Sequence, residues 1–164
     1  MATIDLATKL GAGIAPSVDS VKRPVNFAEV YIDFEEAATT KGSALAAADV
    51  IEAIDLPVGS VVFAAGIEVI DVQAGATVMT LDLGVTGSDA DAFVDGFDFF
   101  AATAGAYAAQ PAAFQPIVIG ATADTLDVLI ATQTGTNTGG RIRVWALYGD
   151  VKKRPEPALA ALRS

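Results

Sequence analysis

Ser60-Val61-Val62-Phe63-Ala64-Ala65-Gly66-Ile67-Glu68-Val69-Ile70-Asp71-Val72 is the stretch on which the fold class turns. The run is rich in β-branched residues, and Val61, Phe63, Ala65, Ile67 and Val69 share one side of a period-2 pattern, as a strand with one face in a core requires. Gly66 in its middle predicts a bulge or bend. Working outward, Ala28, Val30, Ile32 and Phe34 alternate with Phe27, Glu29, Tyr31 and Asp33, the wetter face. Val50, Ile54 and Leu56 repeat the pattern until Pro57 and Gly59 turn the chain. Met79, Leu81 and Leu83 follow a turn at Ala74-Gly75; Ile117 to Ile119 and then Leu126, Val128 and Ile130 continue the series. In the last strand, Ile142, Val144, Ala146 and Tyr148 oppose Arg141, Arg143, Trp145 and Leu147, after a Thr/Gly-rich stretch, 134–140, that reads as a hairpin connection.

Seven or eight short strands punctuated every 8–12 residues predict an all-β chain: a single β-sandwich, read as a jelly roll, with one short helix and extended terminal arms. The helix is placed at Ser88-Asp89-Ala90-Asp91-Ala92-Phe93-Val94-Asp95-Gly96, which opens on an N-cap-like residue, closes on glycine and sets Phe93 four residues before Phe97. Ser43 to Ala48 reads either way, since its alanines favour helix but lead straight into a strand. Thr80-Leu81-Asp82-Leu83 and Thr125-Leu126-Asp127-Val128 are alike, as strands of two similar sheets would be. The domain spans 26–150. Residues 1–25 form an N-terminal arm without a sustained period, and 151–164 a basic tail containing Pro155 and Pro157.

The whole chain has 164 residues, of which 52% are apolar and only 18% charged, enough for one core and too apolar for disorder. It contains no His and no Cys, which excludes Ser-His-Asp and Cys-His catalysis, zinc fingers, haem ligation by His and thiol redox centres. The net charge of −10 disfavours nucleic acid as a partner. No basic leader precedes an apolar run, and no apolar stretch is long enough to span a bilayer, so a soluble protein without a membrane partner is expected.

Candidate chemistry is sparse. Asp89, Asp91, Asp95 and Asp98 are oxygen ligands of the type calcium takes, but Phe93 and Gly96 occupy places where an EF-hand loop would carry ligands. Acids facing water at a helix start are the favoured reading, since only the ligand type fits calcium. Paired carboxylates alone do not make a glycosidase, and no enzyme or cofactor is expected. Gly11-Ala12-Gly13 lacks the third glycine of a dinucleotide loop. Trp145 reads as packing, and Arg141 and Arg143 as partners of acids on a neighbouring strand. Lys22-Arg23 and Lys152-Lys153-Arg154 stand out in an acidic protein, either as grips for an acidic partner surface or as solvated ends. Many Ala, Val and Thr with few charges also imply exposed apolar area, hence oligomerisation or docking on a larger assembly.

Ile54-Asp55-Leu56-Pro57-Val58-Gly59-Ser60-Val61-Val62 resembles the D-L-P-x-G-[ST]-V-V turn of the small β-sandwich decoration, or cement, proteins on the heads of tailed bacteriophages, including phages of marine bacteria and cyanobacteria. Thr80 to Gly84, Ser88 to Phe93 and Gly140-Arg141-Ile142-Arg143-Val144-Trp145 resemble later segments of the same family, so that the likeness covers roughly 45–150. The resemblance implies a non-enzymatic virion protein on the capsid exterior, made in the host cytoplasm. It implies binding to the major capsid protein of an assembled head, bridging capsomers, often as a dimer or trimer. The arms would then be clasps, with Lys9, Lys22, Arg23, Lys152, Lys153 and Arg154 as candidate shell contacts. The alternatives are a tail or fibre subunit, or a carbohydrate-binding module, which needs an aromatic platform.

Overall fold

Alternating apolar positions sort the chain into two sheets that share one core. The computed structural model describes residues 3–8, 25–85, 87–108 and 116–150, with 3–8 and Asp150 described by backbone alone. In order these form β1 (Thr3–Thr8), β2 (Val25–Asp33), α1 (Phe34–Lys41), β3 (Val50–Leu56), β4 (Ser60–Ala74), β5 (Val78–Val85), β6 (Asp89–Asp98), β7 (Tyr107–Ala108), β8 (Ile117–Val118), β9 (Asp124–Thr134) and β10 (Gly139–Asp150). One sheet has the order β1-β3-β9-β5-β6 and the other β2-β10-β4-β7, with β8 also on β4. All pairs are antiparallel except β1 with β3. The protein is an all-β sandwich.

The core lies between the sheets. Ile32, Val62, Ile67, Ile142 and Val144 from one sheet meet Ile51, Ile54, Met79, Leu81, Leu126 and Ile130 from the other, all essentially without solvent exposure. As expected, Ile142, Val144, Ala146 and Tyr148 turn inward. In β4 the inward set is Val62, Ala65, Ile67 and Val69, because the register slips between Ala64 and Val62 and leaves Phe63 exposed. Gly66 is therefore not the bulge. It sits in regular register with Trp145, whose indole lies where a Cβ would be: a Cβ at Gly66 would fall 2.9 Å from the ring.

The short helix is not at 88–96. That segment is β6, paired with β5 from Val85↔Asp89 to Thr80↔Asp98. Two register shifts take up extra residues, one around Gly96 (φ +65°), so the inward residues Phe93 and Val94 do not alternate cleanly and the strand period is hidden. Gly84 admits this pairing, since a Cβ there would fall 2.1 Å from the Asp89 carbonyl oxygen. Pairing along β5 thus overrides a local helix signal.

The helix is α1, and Phe34 opens it rather than continuing β2. Asp33 caps it, its Oδ1 accepting from the N–H groups of Glu35 (2.9 Å) and Glu36 (3.2 Å). Glu35 and Glu36 in the first turn and Lys41 in the last suit the dipole, and Gly42 (φ +77°) ends it. Segment 43–48 is turn and irregular chain, with Ala48 at φ +67°.

Three further expectations change. The 134–140 stretch is not a hairpin, because β9 and β10 lie in different sheets. It is a crossover braced on the β4–β5 crossover through Thr138 N–H to Ala74 O and Thr77 N–H to Thr134 O, both 2.8 Å. The similar Thr80 and Thr125 segments lie in neighbouring strands of one sheet. The N-terminal arm contains a paired strand, β1, whose backbone extends the first sheet beyond β3.

A candidate interaction surface

Charge divides between the sheets. Strands β3, β5, β6 and β9 carry Glu52, Asp55, Asp82, Asp89, Asp91, Asp95, Asp98, Asp124 and Asp127, and neither Lys nor Arg. Asp89, Asp91, Asp95 and Asp98 are spread along the edge strand β6, where Asp98 accepts the Ala101 N–H at 2.9 Å. Among the described residues no group of three or more acids is gathered to hold a metal ion. Asp91 is raised above the ordinary carboxylate range by its hydrogen bond with Asp89.

Asp82 is the informative acid of this sheet. Its Oδ1 accepts the Gly96 N–H at 2.7 Å and so secures the β6 irregularity. Burial raises its pKa above 3.8, the Gly96 bond opposes that rise and Asp95 adds to it. The native state therefore holds this proton more tightly than the unfolded chain. Asp82's stabilising contribution is complete below the unfolded pKa and is lost as pH rises through the folded one. Asp82→Asn keeps an acceptor for Gly96 and removes the buried charge. Its melting temperature should exceed the parent's at about pH 7, and the gap should close below about pH 4. A gap that widened on acidification would refute this assignment.

The other sheet presents a different outer face. Cross-strand register sets Phe27, Leu147 and Ala64 in one row, Glu29, Trp145 and Gly66 in the next, and Tyr31, Arg143, Glu68 and Tyr107 in a third. Trp145 stacks with Phe27 (centroids 6.2 Å apart, planes at 16°) and lies against Tyr107 (6.3 Å, 36°). Phe27 and Tyr107 are each more than half exposed. Arg143 bonds Glu29 at 3.1 Å and Glu68 at 2.5 Å, while Arg141 bonds Asp71 at 3.0 Å. Both arginines thus pair with neighbouring-strand acids, as the sequence predicts. Trp145 does pack, but as the centre of an aromatic cluster that spans three rows. Phe27 is legible as the odd member of a polar face; Tyr107, in a two-residue strand, gives no periodic signal.

Gly66 is what lets the indole lie flat. Gly66→Val should displace the ring at a cost of about 1–3 kcal/mol, typical of overpacking. Trp145 is the chain's one tryptophan, so a red-shifted emission together with a lowered melting temperature would report this site alone. Unchanged emission would contradict the packing.

Lys9, Lys22, Arg23, Lys152, Lys153 and Arg154 lie outside the described residues, as do Gly11 and Gly13. Connectivity still places their neighbours. Val25 pairs with Gly149, so the chain enters β2 and leaves β10 side by side. Lys22 and Arg23 stand within three residues of Val25, and Lys152 to Arg154 within four of Asp150. Every described base, Lys41, Arg141 and Arg143, is ion-paired within the fold. Among the described residues no helix is long and apolar enough to cross a membrane.

No family model and no curated protein matches the chain. Two solved structures have a similar fold. A chain of the cyanophage Pam1 capsid asymmetric unit matches with TM-score 0.60 and 21% identity over 85% of this chain and 94% of that one. A chain of the Ralstonia phage GP4 capsid matches with TM-score 0.58 and 19% identity over 91% of this chain and 99% of that one. The chain thus shares its fold, along nearly the full length of both, with chains from the capsids of two phages.

Proposed function

We propose that this protein is a virion structural protein of the decoration type, which binds the outside of an assembled phage head and holds neighbouring capsomers together. The observation that carries the reading is the end-to-end fold likeness to chains of two phage capsids. The strand order supports it: counting from β2, the strands fall as first, eighth, third and sixth in one sheet and second, seventh, fourth and fifth in the other when β7 and β8 count as one. Read as a jelly roll, this architecture is one that viral capsid domains use.

The mechanism is thermodynamic and needs neither catalytic group nor cofactor. A ligand that binds the assembled shell and not its separate subunits stabilises the shell by mass action. Repetition over many equivalent positions adds avidity to a modest contact. The bases Lys22, Arg23, Lys152, Lys153 and Arg154, which flank β2 and β10 in the sequence, supply the grip on an acidic surface of the major capsid protein.

Co-sedimentation with heads of the phage that carries this protein tests the reading. The chain should pellet with assembled heads and not with unassembled capsid subunits. Reversing Lys152, Lys153 and Arg154 to Glu should weaken binding about tenfold, since each such charge contributes up to about 1 kcal/mol. Charge reversal is a cleaner test than deleting residues 1–22, which would also remove β1 and bare the edge of β3. Equal binding to free subunits, or none to heads, would overturn the proposal.

A further inference from the structure

We propose that the outer face of the β2-β10-β4-β7 sheet is where one copy of this chain meets a second copy. This rests on the reading above only in assigning the shell contact to the base-rich strand ends, which leaves the sheet face to a lateral neighbour. The face has the composition that dominates binding energy at protein interfaces, tryptophan, tyrosine and arginine on a packed floor. Phe27 and Tyr107, 59% and 51% exposed, both lie against Trp145, so three rings form one cluster, and Tyr31, 53% exposed, stands on the same face beside Arg143. Stacking on Trp145 already orders Phe27 and Tyr107, so little side-chain freedom remains to be lost on docking.

Charge selects the occupant. Arg143 is closed by Glu29 and Glu68, and Arg141 by Asp71, so the face offers no unspent cation to an acidic partner. It is nearly self-neutralised, which suits it to an identical face. The opposite sheet is acidic without a single Lys or Arg in β3, β5, β6 or β9, so like copies repel each other there. The aromatic face is thus the broad surface on which two copies of a chain of net charge −10 can approach.

The test is the mass of the full chain in solution, without phage particles, across about 1–100 µM by sedimentation velocity. The parent should give a multiple of 16.7 kDa. Phe27→Glu and Tyr107→Glu, at exposed positions and with unchanged circular dichroism, should shift it to monomer and weaken association at least about tenfold. Val78→Glu, exposed on the other sheet, should leave the mass unchanged. A parent that stays monomeric throughout, or a Phe27→Glu variant that keeps the parent's mass, overturns the proposal. If the parent is monomeric yet Phe27→Glu abolishes binding to heads, the face belongs to the shell; the second copy is then excluded while the decoration reading stands.

Discussion

Phe99→Ala should cost about 3–5 kcal/mol, the range for truncating a fully buried phenylalanine, and lower the melting temperature by about 10 °C. Phe99 follows β6 directly and has no solvent exposure. Its ring meets Phe34, the first residue of α1, at a centroid distance of 5.0 Å and an interplanar angle of 33°. It also fills the space above Gly140, where a Cβ would fall 3.0 Å from the Phe99 ring edge. The pair therefore joins three elements that follow different strands: the helix, the exit of the edge strand and the start of β10. Phe34→Ala should cost about as much, and the double variant less than the sum, because the two truncations open one shared cavity. Denaturant titration of the single and double variants measures this. Strict additivity, or a cost below about 1 kcal/mol for either single variant, would contradict the contact.

Lys41→Met should cost about 3 kcal/mol, the lower end of the range for breaking a buried ion pair. The Lys41 ammonium donates to Asp49 Oδ2 at 2.5 Å and to the Ala44 carbonyl at 2.9 Å, and Asp49 Oδ2 also accepts the Ala46 N–H at 2.9 Å. The side chains are only 14% and 4% exposed. The pair thus fixes the irregular segment 43–48 between the end of α1 and the start of β3. Methionine keeps the aliphatic stem but strips the buried carboxylate of its Lys41 counter-charge. Lys41→Met with Asp49→Asn should recover most of the loss, since a pair neutralised together leaves no buried charge behind. A double variant as unstable as Lys41→Met would show that the cost lies in packing.

What was legible follows from which forces act locally. The strands β4, β5, β9 and β10 announce themselves because one face of each is buried in a continuous core, which imposes alternation. Arg141 and Arg143 were readable as cross-strand partners because they share the outer face of one strand. The Ser88 segment imitates a helix start, and only its pairing with β5 makes it a strand. Its true location had local signals, Asp33 before Glu35-Glu36 and Lys41 before Gly42, which the alternation running through Ile32 obscured. Strand order is non-local: whether 134–140 turns back on one sheet or crosses to the other depends on what Ala74 and Thr77 offer its backbone. The aromatic cluster is non-local too, since Tyr107 lies nearly forty residues from Trp145 and is brought to it by pairing with β4.

A repeated element of a phage head is present in many copies, so the decisive quantity is the number of copies of this protein per particle. Quantitative mass spectrometry of purified virions should find it in hundreds of copies, on the scale that avidity over a shell requires, and in simple ratio to the major capsid protein. About a dozen copies would place it in a tail or fibre instead, and absence from the virion would rule out a virion role.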